Sequence, residues 1–143
     1  MKKKAFFSLA GLIILVILGA IFFVPKKIEH GMKNPGKNIS VTKQDSGKEI
    51  AANAGDTIQV ELEGAGATGY WWYPDNLDAD HLQLISEDTR TNSSDNKAGA
   101  PVIGIWKFKT LKAGQSAIKM DYYRVWEGVG SATDHFNIGL QVK

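Results

Sequence analysis

The sequence predicts an all-β fold, an antiparallel β-sandwich of about seven short strands, preceded by one N-terminal transmembrane helix. Three observations predict it. Apolar residues alternate with period two in one stretch after another between residues 39 and 143, the pattern of strands buried on one face. Turn formers separate those stretches, as in Ala54-Gly55-Asp56 and Pro74-Asp75, and no amphipathic helical period competes with them. Ahead of them stand residues 5–24, AFFSLAGLIILVILGAIFFV, without a single charge.

That first run is long enough to cross a bilayer, because about 20 residues at ~1.5 Å of rise span the ~30 Å hydrocarbon core. A cleaved secretory signal has an apolar region of only ~7–15 residues and a small-residue cleavage site. Here Val24 is followed directly by Pro25-Lys26-Lys27. Residues 1–24 are therefore expected to be a retained membrane anchor, with a secreted, cleaved form as the alternative. Residues 25–38, PKKIEHGMKNPGKN, lack hydrophobic periodicity and read as a flexible tether. With the short Lys2-Lys3-Lys4 tail staying inside, the domain at residues 39–143 would lie outside the cytoplasm.

Within that domain, residues 57–63 place Ile58, Val60 and Leu62 on one face and Gln59, Glu61 and Glu63 on the other. Residues 70–73 form a short aromatic strand, expected to stop at Pro74; Trp71 and Trp72 alternate, so at least one is core. Residues 75–81 have room for one helical turn. Residues 82–87 put Leu82, Leu84 and Ser86 on one side, and residues 105–110 set Trp106 and Phe108 against Lys107 and Lys109. In residues 117–124 the inward set is Ile118, Met120 and Tyr122; in residues 135–142 it is Phe136, Ile138, Leu140 and Val142. Three stretches rich in small residues, 64–69, 95–104 and 125–134, lack this pattern and are loops, which a sandwich can gather at one end.

Charge divides at the tether. Residues 1–37 hold seven Lys and one Glu, net +6, while residues 38–143 hold ten basic and fourteen acidic residues, net −4. A mildly acidic domain without a basic stripe argues against nucleic acid as partner. The chain has no Cys, which removes disulfides, thiolate nucleophiles and zinc-thiolate sites together. His30, His81 and His135 are scattered, and Asp75, Asp78 and Asp80 lack the Gly and Glu that a calcium loop would place after them. No nucleophile, base or ligand cluster takes shape, so neither catalysis, cofactor nor metal is expected.

The loops carry a different signal. TGYWW at residues 68–72, GAP at residues 99–101 ahead of Trp106 and Phe108, and RVWE at residues 124–127 resemble, in order and spacing, the three binding-loop motifs of the chagasin family of cysteine peptidase inhibitors. The likeness covers the whole domain. Thr68, Gly69, Tyr70, Gly99, Pro101, Arg124, Trp126 and Glu127 match the family pattern; Ala65, Gly66 and Ala67 replace an Asn, a Pro and a Thr, Val102 replaces a Gly, and Val125 replaces a Pro.

The resemblance implies an immunoglobulin-like sandwich whose three loops plug the cleft of a papain-like cysteine peptidase without a covalent step, acting as a monomer. It assigns peptidase binding to Gly66, Ala67, Thr68, Gly69 and Tyr70, to Gly99, Ala100 and Pro101, and to Arg124, Trp126 and Glu127. The first loop must be thin to enter a groove shaped for an extended peptide, so Thr68 would carry its one small hydroxyl over the catalytic Cys. Trp126 would be the flanking anchor, and Arg124 would brace the loop or hydrogen-bond the enzyme. The competing reading is a noncatalytic surface module that binds a glycan or another protein through the same loops.

Overall fold

The alternating stretches close into two sheets whose apolar faces meet. The computed structural model describes residues 35–91 and 100–143. Its strands are β1 (Asn38–Thr42), β2 (Glu49–Ala52), β3 (Thr57–Gly64), β4 (Tyr70–Asp75), β5 (Leu82–Thr91), β6 (Val102–Thr110), β7 (Gly114–Arg124) and β8 (Asp134–Val142). One four-stranded sheet has the order β1-β3-β6-β5 and the other β2-β8-β7-β4. The expected anchor at residues 5–24, most of the expected tether, and Gly99 lie outside the described residues. Among the described residues no helix is long and apolar enough to cross a membrane.

The core is the one that alternation predicts. Ile58, Val60 and Leu62 of β3, Trp106 and Phe108 of β6, Ile118 and Met120 of β7, and Phe136, Ile138, Leu140 and Val142 of β8 are all buried in one cluster. Removing each such side chain from water stabilises the fold by ~1.5–3 kcal/mol. Both indoles of β4 join them: Trp72 is buried with its Nε1–H donated to the Glu63 carbonyl at 2.9 Å, and Trp71 packs on Trp106 at 5.6 Å between ring centroids. Gly104 makes room for this pair, since a Cβ there would lie 2.2 Å from the Trp106 ring.

Five expectations need correction. Among the described residues the strands number eight, not about seven, because residues 38–52 form two. The sandwich is not wholly antiparallel: β1 runs parallel to β3, and β2 parallel to β8. The cause is the turn Lys43–Asp45, which carries the chain from one sheet to the other. Because β2 descends in the second sheet between two ascents in the first, β1 and β3 arrive side by side in the same direction. Pro74 does not stop β4, which continues to Asp75; β4 is the edge strand of its sheet, where Pro is tolerated. In β5 a register shift between Leu84 and Ser86 breaks the alternation, leaving Leu84 and Ile85 exposed, and the strand runs on to Thr91. Residues 75–81 turn through Asn76 at φ 44° and a carbonyl at Asp78 that receives the N–H groups of His81 and Leu82, without forming a helix.

The strand pairings settle where the loops emerge. Gly64 at the end of β3 faces Val102 at the start of β6, which also faces Thr91 at the end of β5. In the other sheet Tyr70 at the start of β4 faces Arg124 at the end of β7, and Tyr122 faces Asp134 at the start of β8. The connections β3–β4, β5–β6 and β7–β8 therefore all leave from one end.

Candidate functional site

The first loop, residues 65–69, begins where β3 runs out. Gly64 is fixed by the core below it, since a Cβ there would sit 2.6 Å from the Trp71 ring. The chain then tightens into the turn Gly66–Thr68, in which Ala65 C=O accepts the Thr68 N–H at 2.9 Å and the Thr68 hydroxyl at 2.7 Å. Ala65 N–H is donated to the Tyr122 hydroxyl at 2.9 Å. Gly69 closes the loop at φ 80°, a left-handed conformation that costs a side chain strain, and a Cβ there would lie 2.1 Å from the Trp126 ring. Position 69 needs glycine for both reasons.

The third loop is built against the first. Arg124, the last residue of β7, donates its Nε–H to the Thr68 carbonyl at 3.1 Å, pairs through a terminal nitrogen with Glu127 at 3.1 Å, and lays its guanidinium 4.5 Å from the Tyr70 ring centroid. Glu127 N–H returns to the Arg124 carbonyl at 2.9 Å, turning the chain so that Trp126 stands out with 69% of its surface exposed. Val125 and Val129 beside it are exposed as well, so the projection is apolar. Of the second loop, Ala100 and Pro101 are described; Pro101 shares the lining of a hollow of about 220 Å³ with Ala65, Tyr122 and Asp134.

Of the residues singled out in the sequence, Gly66, Ala67, Thr68, Gly69, Tyr70, Ala100, Pro101, Arg124, Trp126 and Glu127 thus sit at one end, and Gly99 lies outside the described residues. Two of them act on neighbours within the chain. Arg124 braces the first loop, and Glu127 holds Arg124. The Thr68 side chain is exposed, but its hydroxyl hydrogen is committed to Ala65.

One residue escaped the sequence reading. Alternation places Tyr122 inward, and its ring does pack on Trp72 and Tyr70, yet its hydroxyl reaches the loop. The available signal was the residue type itself: a Tyr at the last inward position of a strand carries a polar tip that needs a partner. Two ion pairs lie at this end, Arg124 with Glu127 and Lys43 with Asp134 at 2.6 Å. What this end offers chemically is backbone, small side chains and one projecting indole, which suits binding.

Comparisons with known proteins bear on the family and the fold. The sequence model described as chagasin family peptidase inhibitor I42 matches residues 51–140. No curated protein matches the sequence at a significant level. Among solved structures, the cysteine protease inhibitor EhICP2 from Entamoeba histolytica superposes with a TM-score of 0.68 at 21% identity, over 75% of this chain and 96% of that one. Amebosin follows with a TM-score of 0.59 at 21% identity, over 76% and 100% of the two chains. PbICP-C, solved in complex with falcipain-2, gives 0.55 at 16% identity over 76% and 100%. At these identities the structural likeness shows a shared fold.

Proposed function

Because the chain belongs to the chagasin family of peptidase inhibitors, we propose that it inhibits papain-like cysteine peptidases reversibly and without a covalent bond, by seating its three loops in the active-site cleft. One observation carries the proposal: the first and third loops form a single braced projection, slim at residues 65–69 and flanked by the exposed Trp126. A groove that accepts an extended peptide is narrow, and residues 65–69 present no side chain larger than threonine. A loop already held in shape loses little conformational entropy when it binds. Trp126 is then free to bury its indole on the enzyme surface beside the cleft, the commonest role of an exposed interface Trp.

The finer assignments go with this reading. We class the sandwich as immunoglobulin-like on the packing of its two sheets and the gathering of three loops at one end. The hydropathy of residues 5–24 and the composition of residues 25–38 support a membrane-anchored domain held outside the cytoplasm. A complex with falcipain-2 in the distant fold relative PbICP-C is in keeping with a cysteine peptidase as partner.

The test is a titration of papain with the full chain. Loss of peptidase activity in proportion to added protein, restored on dilution, is the expected result. A folded chain that leaves papain fully active at micromolar concentration would reject the proposal.

A further inference from the structure

We infer that two hydrogen bonds into the first loop, one given by Arg124 and one received by Tyr122, keep that loop from being hydrolysed by the peptidase it enters, which makes Tyr122 and Arg124 positioning residues for the projection. The inference rests on the inhibitory reading above and deepens it. A loop lying in a peptidase cleft is, chemically, a peptide offered to a protease. To be cut, a peptide must present a carbonyl to the thiolate and turn its oxygen toward the donors that stabilise the oxyanion.

In residues 65–69 the Ala65 and Thr68 carbonyls are already engaged. Ala65 C=O accepts two hydrogen bonds from Thr68, at 2.9 and 2.7 Å, and Thr68 C=O accepts the Arg124 Nε–H at 3.1 Å. Gly69 at φ 80° holds the backbone away from the extended form a scissile segment adopts. The braces are anchored in strands, not in the loop. Tyr122 lies in β7, stacked on Tyr70 at 5.4 Å and packed on Trp72 at 4.9 Å, and its hydroxyl takes the Ala65 N–H at 2.9 Å. Arg124 is fixed by its pairing with Tyr70 across the sheet, by the Tyr70 ring beneath it and by Glu127 beside it.

Straightening the loop would break these bonds, and each shifts the balance between braced and straightened forms by about two- to tenfold. With a brace missing, the straightened form is reached more often and the peptidase completes ordinary hydrolysis. The peptide C–N bond breaks, water supplies the hydroxyl to the carbonyl carbon, and the nitrogen leaves as an amine. The inhibitor then becomes a slow substrate.

The full wild-type chain, Tyr122→Phe and Arg124→Lys are each incubated with papain at equal molar ratio, with activity followed for hours and the inhibitor's mass and thermal midpoint recorded. Tyr122→Phe removes one oxygen and keeps both ring contacts; Arg124→Lys keeps the charge facing Glu127 and loses the Nε bond. Wild type should stay intact and inhibitory. Each variant should inhibit at first within about tenfold of wild type, then release activity as a cut appears between residues 65 and 70, with the midpoint lowered by no more than the roughly 2–10 °C that the loss of one hydrogen bond accounts for. Variants that inhibit and remain uncut as long as wild type overturn the inference while the inhibitory reading stands. Cuts scattered through the domain, with the midpoint lowered by more than one hydrogen bond accounts for, overturn the positioning role in favour of general unfolding. A wild-type chain that never inhibits overturns the reading beneath it.

Discussion

Trp126 and Thr68 carry opposite tests of the loop end. The Trp126 indole is 69% exposed and lies over Gly69, outside the core cluster, so truncating it leaves the core intact. Trp126→Ala should therefore weaken papain inhibition by thirtyfold or more, about 2 kcal/mol, while the unfolding free energy from urea titration falls by no more than ~1 kcal/mol. A large fall in stability would instead make the ring part of the fold. Thr68 is tested by addition. Its side chain is exposed and small at the thinnest part of the projection, so Thr68→Arg places a long cation where the cleft wall should be. Inhibition should be lost with the domain still folded; an inhibition constant equal to wild type would place the loop elsewhere than in the cleft.

At the scale of elements, the turn between β2 and β3 ties the opposite end together. The Asp56 carboxylate is buried and accepts the backbone N–H groups of Asn53 and Lys37, both at 2.8 Å. These bonds, Asn53 first and Lys37 next, hold its pKa below the ordinary 3.8. Since the charged form is favoured by folding, its contribution is present above that ordinary value and is lost as pH falls through the lower folded one. Asp56→Asn should cost ~1–3 kcal/mol at pH 7, and the gap between variant and wild type should narrow below about pH 4, read from urea midpoints across the range. A gap that stays constant down to pH 2 would show that charge is not what the carboxylate contributes. This turn also marks what the sequence does and does not announce. Strands β3, β6 and β8 are legible because each buries alternate residues over most of its length, and β7 because Ile118 and Met120 alternate at its middle. Strands β1 and β2 bury one residue each, Val41 and Ala52, too little for a period to register. Their parallel pairing depends on partners far along the chain, as does the break in β5. The site divides the same way. Thr68, Gly69, Arg124 and Trp126 are legible as motifs, whereas the Tyr122 hydroxyl meets a residue 57 positions away that no local pattern points to.

Taken whole, the sandwich of residues 35–143 has two ends separated by the length of its strands. β6 has nine residues, about 30 Å at ~3.3 Å each. Beyond its start lie the loops. Past its last residue, Thr110 donates its N–H to the Asp56 carbonyl at 2.9 Å and accepts Gly55 N–H at 2.8 Å, while Ala54 N–H reaches the Lys143 carbonyl at 2.9 Å and Thr57 N–H the Lys37 carbonyl at 2.8 Å. Lys37 and Lys143 thus both sit opposite the loops. The core between the ends is close-packed and transmits strain only where a packed element has two arrangements to choose between. Nothing bistable joins Asp56 to Trp126 among the contacts described: they share no partner and lie in different turns. Effects at the two ends should then add. The double variant Asp56→Asn with Trp126→Ala should lose the stability of the first change within ~0.5 kcal/mol and the inhibition of the second within the same margin, measured by urea unfolding and papain titration on all four chains. A coupling above about 1 kcal/mol in either quantity would mean that the turn at one end helps set the loops at the other, and the sandwich would have to be regarded as a lever instead of a rigid spacer.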